Sequence, residues 1–397
     1  MNREIYVSIM LHKNTYPVGK LWFYNRRSRE SALFEYNKDW LTNSHRFALE
    51  PALLLTKGQF YRDKTLFGAI SDSAPDRWGR VLMRRANDIG RTLSEIDYLL
   101  GVSDEVRQGA LRFSENVDGT YLSDSGAKSI PPIIRLPDLL VAAESFMDDT
   151  ESAEQLKLLL APGASLGGAR PKASIIDKDG NYCIAKFPRK DDDVDIVRWE
   201  AVALTLAKSA GIIVPEWKLV NVIDKPILIV QRFDRKGTDR IPYLSAMSML
   251  SASNDDGLVH SYVEIANTII QNGAEPNKDL EELWRRMVFG IIISNTDDHL
   301  RNHGFLYSDK GWRISPAFDM NPNIERTDFA TSIDGSGARN TIERAIKVCE
   351  DFRIDNSRGL CIVNEMKEAV SNWRKVAKKL GISAKGIDNM KEGFMDL

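Results

Sequence analysis

Cysteine is scarce in this chain. Cys183, Cys349 and Cys361 are the only three in 397 residues; they are odd in number and show no CxxC spacing, which argues against a disulfide framework or a zinc site. Long apolar runs are missing too. Stretches such as Ile227–Val230 and Val288–Ile293 fall far short of the roughly 20 residues a spanning helix needs. The opening MNREIYVSIMLHKN lacks a basic segment followed by an apolar one, so no secretory signal is expected. Nor does one sign of charge prevail. Lys plus Arg number 54 against 56 Asp plus Glu, a formal net charge of −2. Nothing global therefore draws the chain to nucleic acid or an anionic membrane, and any such binding must come from a local patch. Internal repeats and low-complexity tracts are also absent. A reduced, cytoplasmic protein with no membrane partner is the expectation.

What is present suggests several domains and ample core. Strands are expected at Ile5–Met10 and Val18–Tyr24, followed by an aromatic stretch, ALFEYNKDWL. Helices are expected in APDRWGRVLMRRAN, which begins near Pro75, and in TLSEIDYLLG. The Gly-, Ser-, Asp- and Pro-rich segment Ser114–Pro137 reads as a connection. Beyond it come a helix over Leu139–Leu160, the turn GASLGGARPK, and a hairpin of Ala173–Ile176 with Tyr182–Phe187. A helix stopped by Gly211 and strands at Trp217–Val222 and Ile227–Phe233 complete that part. From about Lys236 the pattern is mostly helical. DLEELWRRMVFGIIISN carries a buried stripe, and the tail IVNEMKEAVSNWRKVAKKLG reads as one amphipathic helix. The order predicts an α+β protein of three parts: residues 1–137, a small sheet lobe over 138–235 and a helical lobe over 236–397.

The densest chemistry is ISNTDDHLRNHGFLYSDKGWRISPAFDMNP. Asp297 and Asn302 have the spacing of Asp and Asn in the kinase catalytic loop, and Asp319 follows beyond a hairpin expected over Gly304–Ile314. Phosphoryl transfer needs such a set. One carboxylate orients the attacking hydroxyl and accepts its proton, while an amide and a second carboxylate offer hard oxygen ligands to Mg²⁺. Taken singly, these residues are more readily explained as capping and solvating a helix end; it is the ordered set that points to chemistry. Metal-assisted hydrolysis through Asp297, Asp298, His299 and His303 is a further option, although His12, His45 and His260 show no helpful spacing.

The glycine turn is neither a Walker A loop, since Ala169 stands where Lys belongs, nor the G-x-G-x-x-G of ordinary kinases. Its backbone could still face phosphate oxygens, with Arg170 and Lys172 adding positive charge. Lys186 shares a strand face with Ile184. It is either the strand lysine that pairs nucleotide phosphates, with Glu200 as candidate partner, or a lysine that blocks an edge strand. In QRFDR, Phe233 could make an apolar contact to adenine or pack between lobes.

As a set, SAPDRWGR, LLGVSDEVRQGALRF, GASLGGARPK, IAKFP, QRFDR, NTDDHLRNHGF and SPAFDMNP resemble the HipA family of bacterial serine/threonine protein kinases, toxins of toxin–antitoxin modules. The resemblance covers nearly the whole chain. It implies a two-lobed kinase-like fold with an additional N-terminal α/β subdomain, and dependence on ATP and Mg²⁺. It matches Asp297 to the catalytic aspartate, Asn302 and Asp319 to metal ligands, and Lys186 to the ATP-phosphate lysine. Gly167, Gly168, Ala169, Arg170, Pro171 and Lys172 match the phosphate-contacting turn. Gln231, Arg232 and Phe233 match the adenine hinge, and His299 a nucleotide-contacting histidine. Ser165 matches a serine whose autophosphorylation switches family members off; a phosphate of about −1.5 to −2 charge there would disturb the turn meant to cradle ATP. Two positions depart from the family: Gln231 stands where glutamate is frequent, and Asp298 where a small residue is frequent. The implied partners are a small helix-turn-helix antitoxin of the HipB kind and a protein substrate such as an aminoacyl-tRNA synthetase. DNA would be reached only through the antitoxin; Arg374, Lys375, Lys378 and Lys379 would then touch its phosphates, or else simply form a solvated helix face. A catalytically weak co-repressor in an antitoxin–DNA complex and a small-molecule or lipid phosphotransferase are the alternatives.

Overall fold

Alternating burial builds the first sheet. In the computed structural model, which describes residues 2–394 apart from 27–28, 64–65, 88–89, 118, 120, 122–129, 164–167, 254–255 and 338, the strand Asn2–Leu11 buries Ile5, Val7, Ile9 and Leu11 and leaves the residues between them partly exposed. A period of two is what a half-buried antiparallel strand requires. This strand pairs with Asn14–Arg26 on one side and Leu111–Ser114 on the other, and the sheet continues through Arg29–Tyr36 to Gln59–Asp63. Both expected strands are present and longer than expected. ALFEYNKDWL resolves into the end of the strand Arg29–Tyr36 and a short helix, Lys38–Thr42, that buries Trp40.

By its internal contacts the chain forms two compact units, Met1–Lys190 with Asn221–Leu244, and Asp191–Val220 with Ser245–Leu397. The first holds the sheet just described and a second one, in which Tyr182–Lys186 pairs antiparallel with both Lys172–Ile176 and Lys225–Gln231. Asp177 shapes the hairpin turn by accepting the N–H groups of Asp179 and Asn181 at 2.9 and 2.8 Å. The single helix expected over Leu139–Leu160 is instead two, Leu136–Met147 and Ala153–Gly163. Asp149 takes a left-handed φ of 55°, and Ser152 and Gln155 exchange side-chain-to-backbone bonds that restart the helix. Local bonding by short polar side chains thus outcompetes helix continuation.

The second unit is mainly helical. Asp195 caps Ile196–Ser209 by accepting the N–H of Arg198 at 3.1 Å, and Gly211, at φ 76°, ends it as expected. Pro276–Ile292 buries Leu280, Leu283, Trp284, Met287, Val288 and Phe289, more than one stripe, and so acts as the central helix of this unit. The tail is two helices, Asn356–Ser371 and Trp373–Lys379, broken at Asn372. The break leaves most of the expected stripe in place, since Val363, Met366, Val370, Trp373 and Ala377 are buried and Leu380, at its end, is partly exposed. Trp373 stacks on Phe394 with ring centroids 4.2 Å apart. Among the described residues no helix is long and apolar enough to cross a membrane.

Candidate active site

Ser294 follows the central helix in a left-handed conformation, φ 52°, and redirects the chain, with Asn295 and Thr296 still buried. The next residues form a tight loop. The carbonyl of Asp297 accepts the N–H of His299 at 2.9 Å and the amide Nδ2 of Asn302 at 3.2 Å, and the Asn302 N–H returns to the carbonyl of His299 at 2.8 Å. With Nδ2 donating to the Asp297 carbonyl, Oδ1 is the acceptor that remains on the Asn302 amide. The two adjacent aspartates have opposite fates. Asp297 has a side chain 64% exposed, in an ion pair at 3.0 Å with Arg326. Asp298 is buried, accepts the hydroxyl of Tyr262, and lies 3.2 Å from Nε2 of His303. Burial works against its charge, but His303 and the Tyr262 hydroxyl hold its carboxyl below the usual range, and the same burial, beside Asp298, pushes the Tyr262 phenol well up.

Asp319 lies beyond the hairpin of Gly304–Ser308 and Gly311–Ile314. Its φ of 57° is left-handed, a conformation that short polar residues tolerate and that surrounding structure must hold. The segment after it is stitched to the acidic loop. Asn321 donates its N–H to the side-chain oxygen of Asn295 at 3.1 Å, Asn323 to the carbonyl of Ser294 at 3.0 Å, and Ala330 to that of Thr296 at 2.8 Å. The Thr331 hydroxyl donates to the carbonyl of Asp298 at 2.6 Å. Asn302 lines one small cavity together with Phe318 and Met320, the residues on either side of Asp319. An amide oxygen and a carboxylate are a hard-donor pair suited to Mg²⁺, which takes few protein ligands when phosphates supply the rest. Among the described residues no three His, Cys, Asp or Glu side chains group as metal ligands. With Asp298 engaged by Tyr262 and His303, hydrolysis through Asp297, Asp298, His299 and His303 has no ligand set.

In the first unit, Tyr182–Lys186 is an interior strand, so the edge-blocking role for Lys186 is ruled out. Cys183, Ala185 and Phe187 are buried while Tyr182, Ile184 and Lys186 stay partly exposed, which puts Lys186 and Ile184 on one face. Lys172 lies directly opposite Lys186 in the antiparallel register, and directly opposed residues share a face with side chains in reach of one another. The turn enters that strand through Gly168, at φ 86°, with Ala169 exposed, Arg170 partly exposed and Pro171 buried. Ser165 and Gly167 lie outside the described residues. Gln231 ends the strand Lys225–Gln231, and the partly exposed Phe233 sits 6.4 Å from the Tyr243 ring. Arg232 and Arg235 are buried around Asp234, and Arg232 also donates to the carbonyls of Val106 and Arg107 at 2.7 and 3.2 Å. Burial opposes the Asp234 charge, yet the two guanidiniums hold its carboxyl far below the usual range. The Arg232 guanidinium is thus engaged, and its N–H donates to the Tyr182 carbonyl at 2.8 Å; what it can offer a ligand is its own carbonyl. Glu200 is buried on the helix Ile196–Ser209 of the second unit.

Arg326, Tyr262 and Thr331 were not legible as parts of the loop. Each comes from 29 to 36 residues away, and no local spacing marks them.

Two families match this chain. The HipA-like C-terminal domain matches residues 164–373 and the HipA N-terminal domain residues 9–114. A putative kinase of Haemophilus influenzae is 26% identical over 183 residues, 40% of this chain and 52% of that protein. Toxin YjjJ of Escherichia coli is 23% identical over 324 residues, 77% of this chain and 67% of that protein. The chain therefore spans about half the length of the first relative and two thirds of the second. Among solved structures, the Shewanella oneidensis HipA, HipB and operator DNA complex includes a chain that superposes with a TM-score of 0.70 at 14% identity, covering 98% of this chain and 95% of that one. That likeness is one of fold, and it agrees with the α+β, kinase-like plan expected from the sequence.

Proposed function

Because the chain belongs to the HipA family, we propose that it is an ATP-dependent protein serine/threonine kinase, the toxin of a toxin–antitoxin pair. The observation that carries this reading is the loop in which Asn302 closes onto Asp297 while the strand of chain beyond Asp319 is bonded to the same loop. In the proposed reaction an acceptor hydroxyl oxygen attacks the γ-phosphorus, the bond to the β,γ-bridging oxygen breaks, and ADP departs. Asp297 orients the hydroxyl and takes its proton. It must first give up its exposed pair with Arg326, which costs little because such pairs are worth about 0–1 kcal/mol. Asn302 and Asp319 would hold Mg²⁺ through hard oxygens, and the charge it supplies would offset that of the phosphate tail. Lys172 and Lys186, side by side on one sheet face, and the Gly168–Lys172 turn would grip phosphate oxygens. Gln231 and Phe233 would meet the base, and His299 the nucleotide. Most of the rate would come from positioning and charge neutralisation.

The finer parts of the proposal are a HipB-like antitoxin, an acceptor of the aminoacyl-tRNA synthetase class, and inhibition by autophosphorylation at Ser165. The antitoxin is supported by the composition of the Shewanella complex; the acceptor and Ser165 rest on the family resemblance. The test is transfer from γ-labelled ATP with Mg²⁺. Label should enter protein serine or threonine with the natural chain and fall by about 10²- to 10⁴-fold with Asp297→Asn. Equal labelling by both would remove Asp297 from its role. No labelling by either, with tighter antitoxin binding to operator DNA, would favour the co-repressor.

A further inference from the structure

We infer that Asp76 and Trp78 are positioning residues for nucleotide binding, which clamp the glycine turn from a helix more than 90 residues earlier in the chain. This inference rests on the kinase reading and gives a role to SAPDRWGR, a motif otherwise unexplained.

The clamp starts as a helix cap. Asp76 precedes the helix Arg77–Arg85 and accepts the Arg77 N–H with Oδ1. Its other oxygen, Oδ2, accepts the N–H of Gly168, 92 residues further along. Trp78 then donates its own N–H to the Gly168 carbonyl at 3.2 Å, so residues 76 and 78 hold both backbone groups of one glycine. The indole Nε1 of Trp78 donates to the carbonyl of Lys172 at 2.9 Å. Gly168 and Lys172, the two ends of the proposed phosphate-binding turn, are thus fixed to one rigid point.

That point has little freedom. Trp78 is 4% exposed and packs edge-on against Phe146, with centroids 5.4 Å apart. A carboxylate near a polyphosphate would ordinarily repel it. Here the charge faces two backbone N–H groups and the positive end of a helix, which offset it. The same geometry explains why the residue has a use for two acceptor oxygens: one serves the cap, the other the turn. Lys172, whose carbonyl is held, is buried and lies opposite the partly exposed Lys186 in the strand register, so the clamp fixes the backbone from which Lys172 projects relative to the turn.

Asp76→Asn separates the two jobs. Asparagine caps helices as well as aspartate and keeps Oδ1 for Arg77, but its NH₂ cannot accept from Gly168. Trp78→Phe keeps the ring and removes only the indole donor. Mg-ATP affinity would be measured by calorimetry, with the ATP KM, kcat and melting temperature alongside. The inference predicts about five- to tenfold weaker Mg-ATP binding for Asp76→Asn and a smaller loss for Trp78→Phe. The ATP KM should rise by the same factor, kcat should change less, and melting should stay within about 2 °C. Unchanged Mg-ATP affinity in Asp76→Asn, beside a natural chain that binds it, overturns the inference alone. So does a loss that appears in kcat while affinity holds. A natural chain that binds no Mg-ATP overturns the kinase reading, and the inference with it.

Discussion

At the acidic loop the anchor is the very next residue: Asp298 is buried against Tyr262 and His303, and Asp297 beside it stands in solvent. At the glycine turn the anchor is 92 residues away, where Asp76 takes the N–H of Gly168. Both arrangements hold a segment of the candidate site by satisfying buried or constrained polar groups, and both leave charged side chains at least partly exposed, Asp297 at the loop and Arg170 and Lys186 at the turn. They differ in how the chain reaches its anchor. A local anchor shares a sequence window with the group it supports; a distant one depends on the whole first unit having folded.

The contrast between neighbouring aspartates gives the largest expected effect. Asp298→Ala removes a buried, partnered carboxylate and strands the Tyr262 hydroxyl and His303, which should cost roughly 3–5 kcal/mol in denaturant unfolding. Asp297→Ala loses only the exposed pair with Arg326 and should change stability by less than about 1 kcal/mol. Similar losses in the two variants would contradict the assignment of Asp298 to support and Asp297 to chemistry.

A third carboxylate sharpens the comparison through pH. Glu50 is buried like Asp298 but has weaker support: it accepts the Ala69 N–H at 2.6 Å, Arg62 is 3.8 Å away, and among the described residues Oε1 has no hydrogen-bond partner. Burial pushes its carboxyl up to about 7. A raised carboxyl pKa means the folded state keeps a proton that the unfolded state has lost. Stability should therefore fall as pH rises from about 4.5 to about 7, by roughly 3 kcal/mol from this group. Denaturant unfolding across that range should show the slope in the natural chain and a flatter line in Glu50→Gln; parallel lines would refute the assignment.

Much of the candidate site's local structure was legible because its residues obey short-range rules. Asp297, Asn302 and the hairpin before Asp319 follow a loop spacing, and Lys186 alternates with Ile184 along a strand. Gly211 stops its helix because it can adopt a positive φ. Where the reading failed, a local competitor won. Asp149 and Ser152 split one expected helix, and Asn372 interrupted another while most of its stripe stayed buried. The partners of the reactive groups were out of reach for a different reason. Arg326, Tyr262 and Asp76 carry no mark of the residues they contact, since the contacts exist only once distant strands and helices are packed.

The most direct test of the central claim is a calorimetric titration of ATP into the natural chain and Asp319→Asn, each with and without Mg²⁺. If Asn302 and Asp319 form a metal–nucleotide site, Mg²⁺ should tighten ATP binding markedly in the natural chain and have little effect in the variant. The same Mg²⁺ dependence in both proteins would contradict the account.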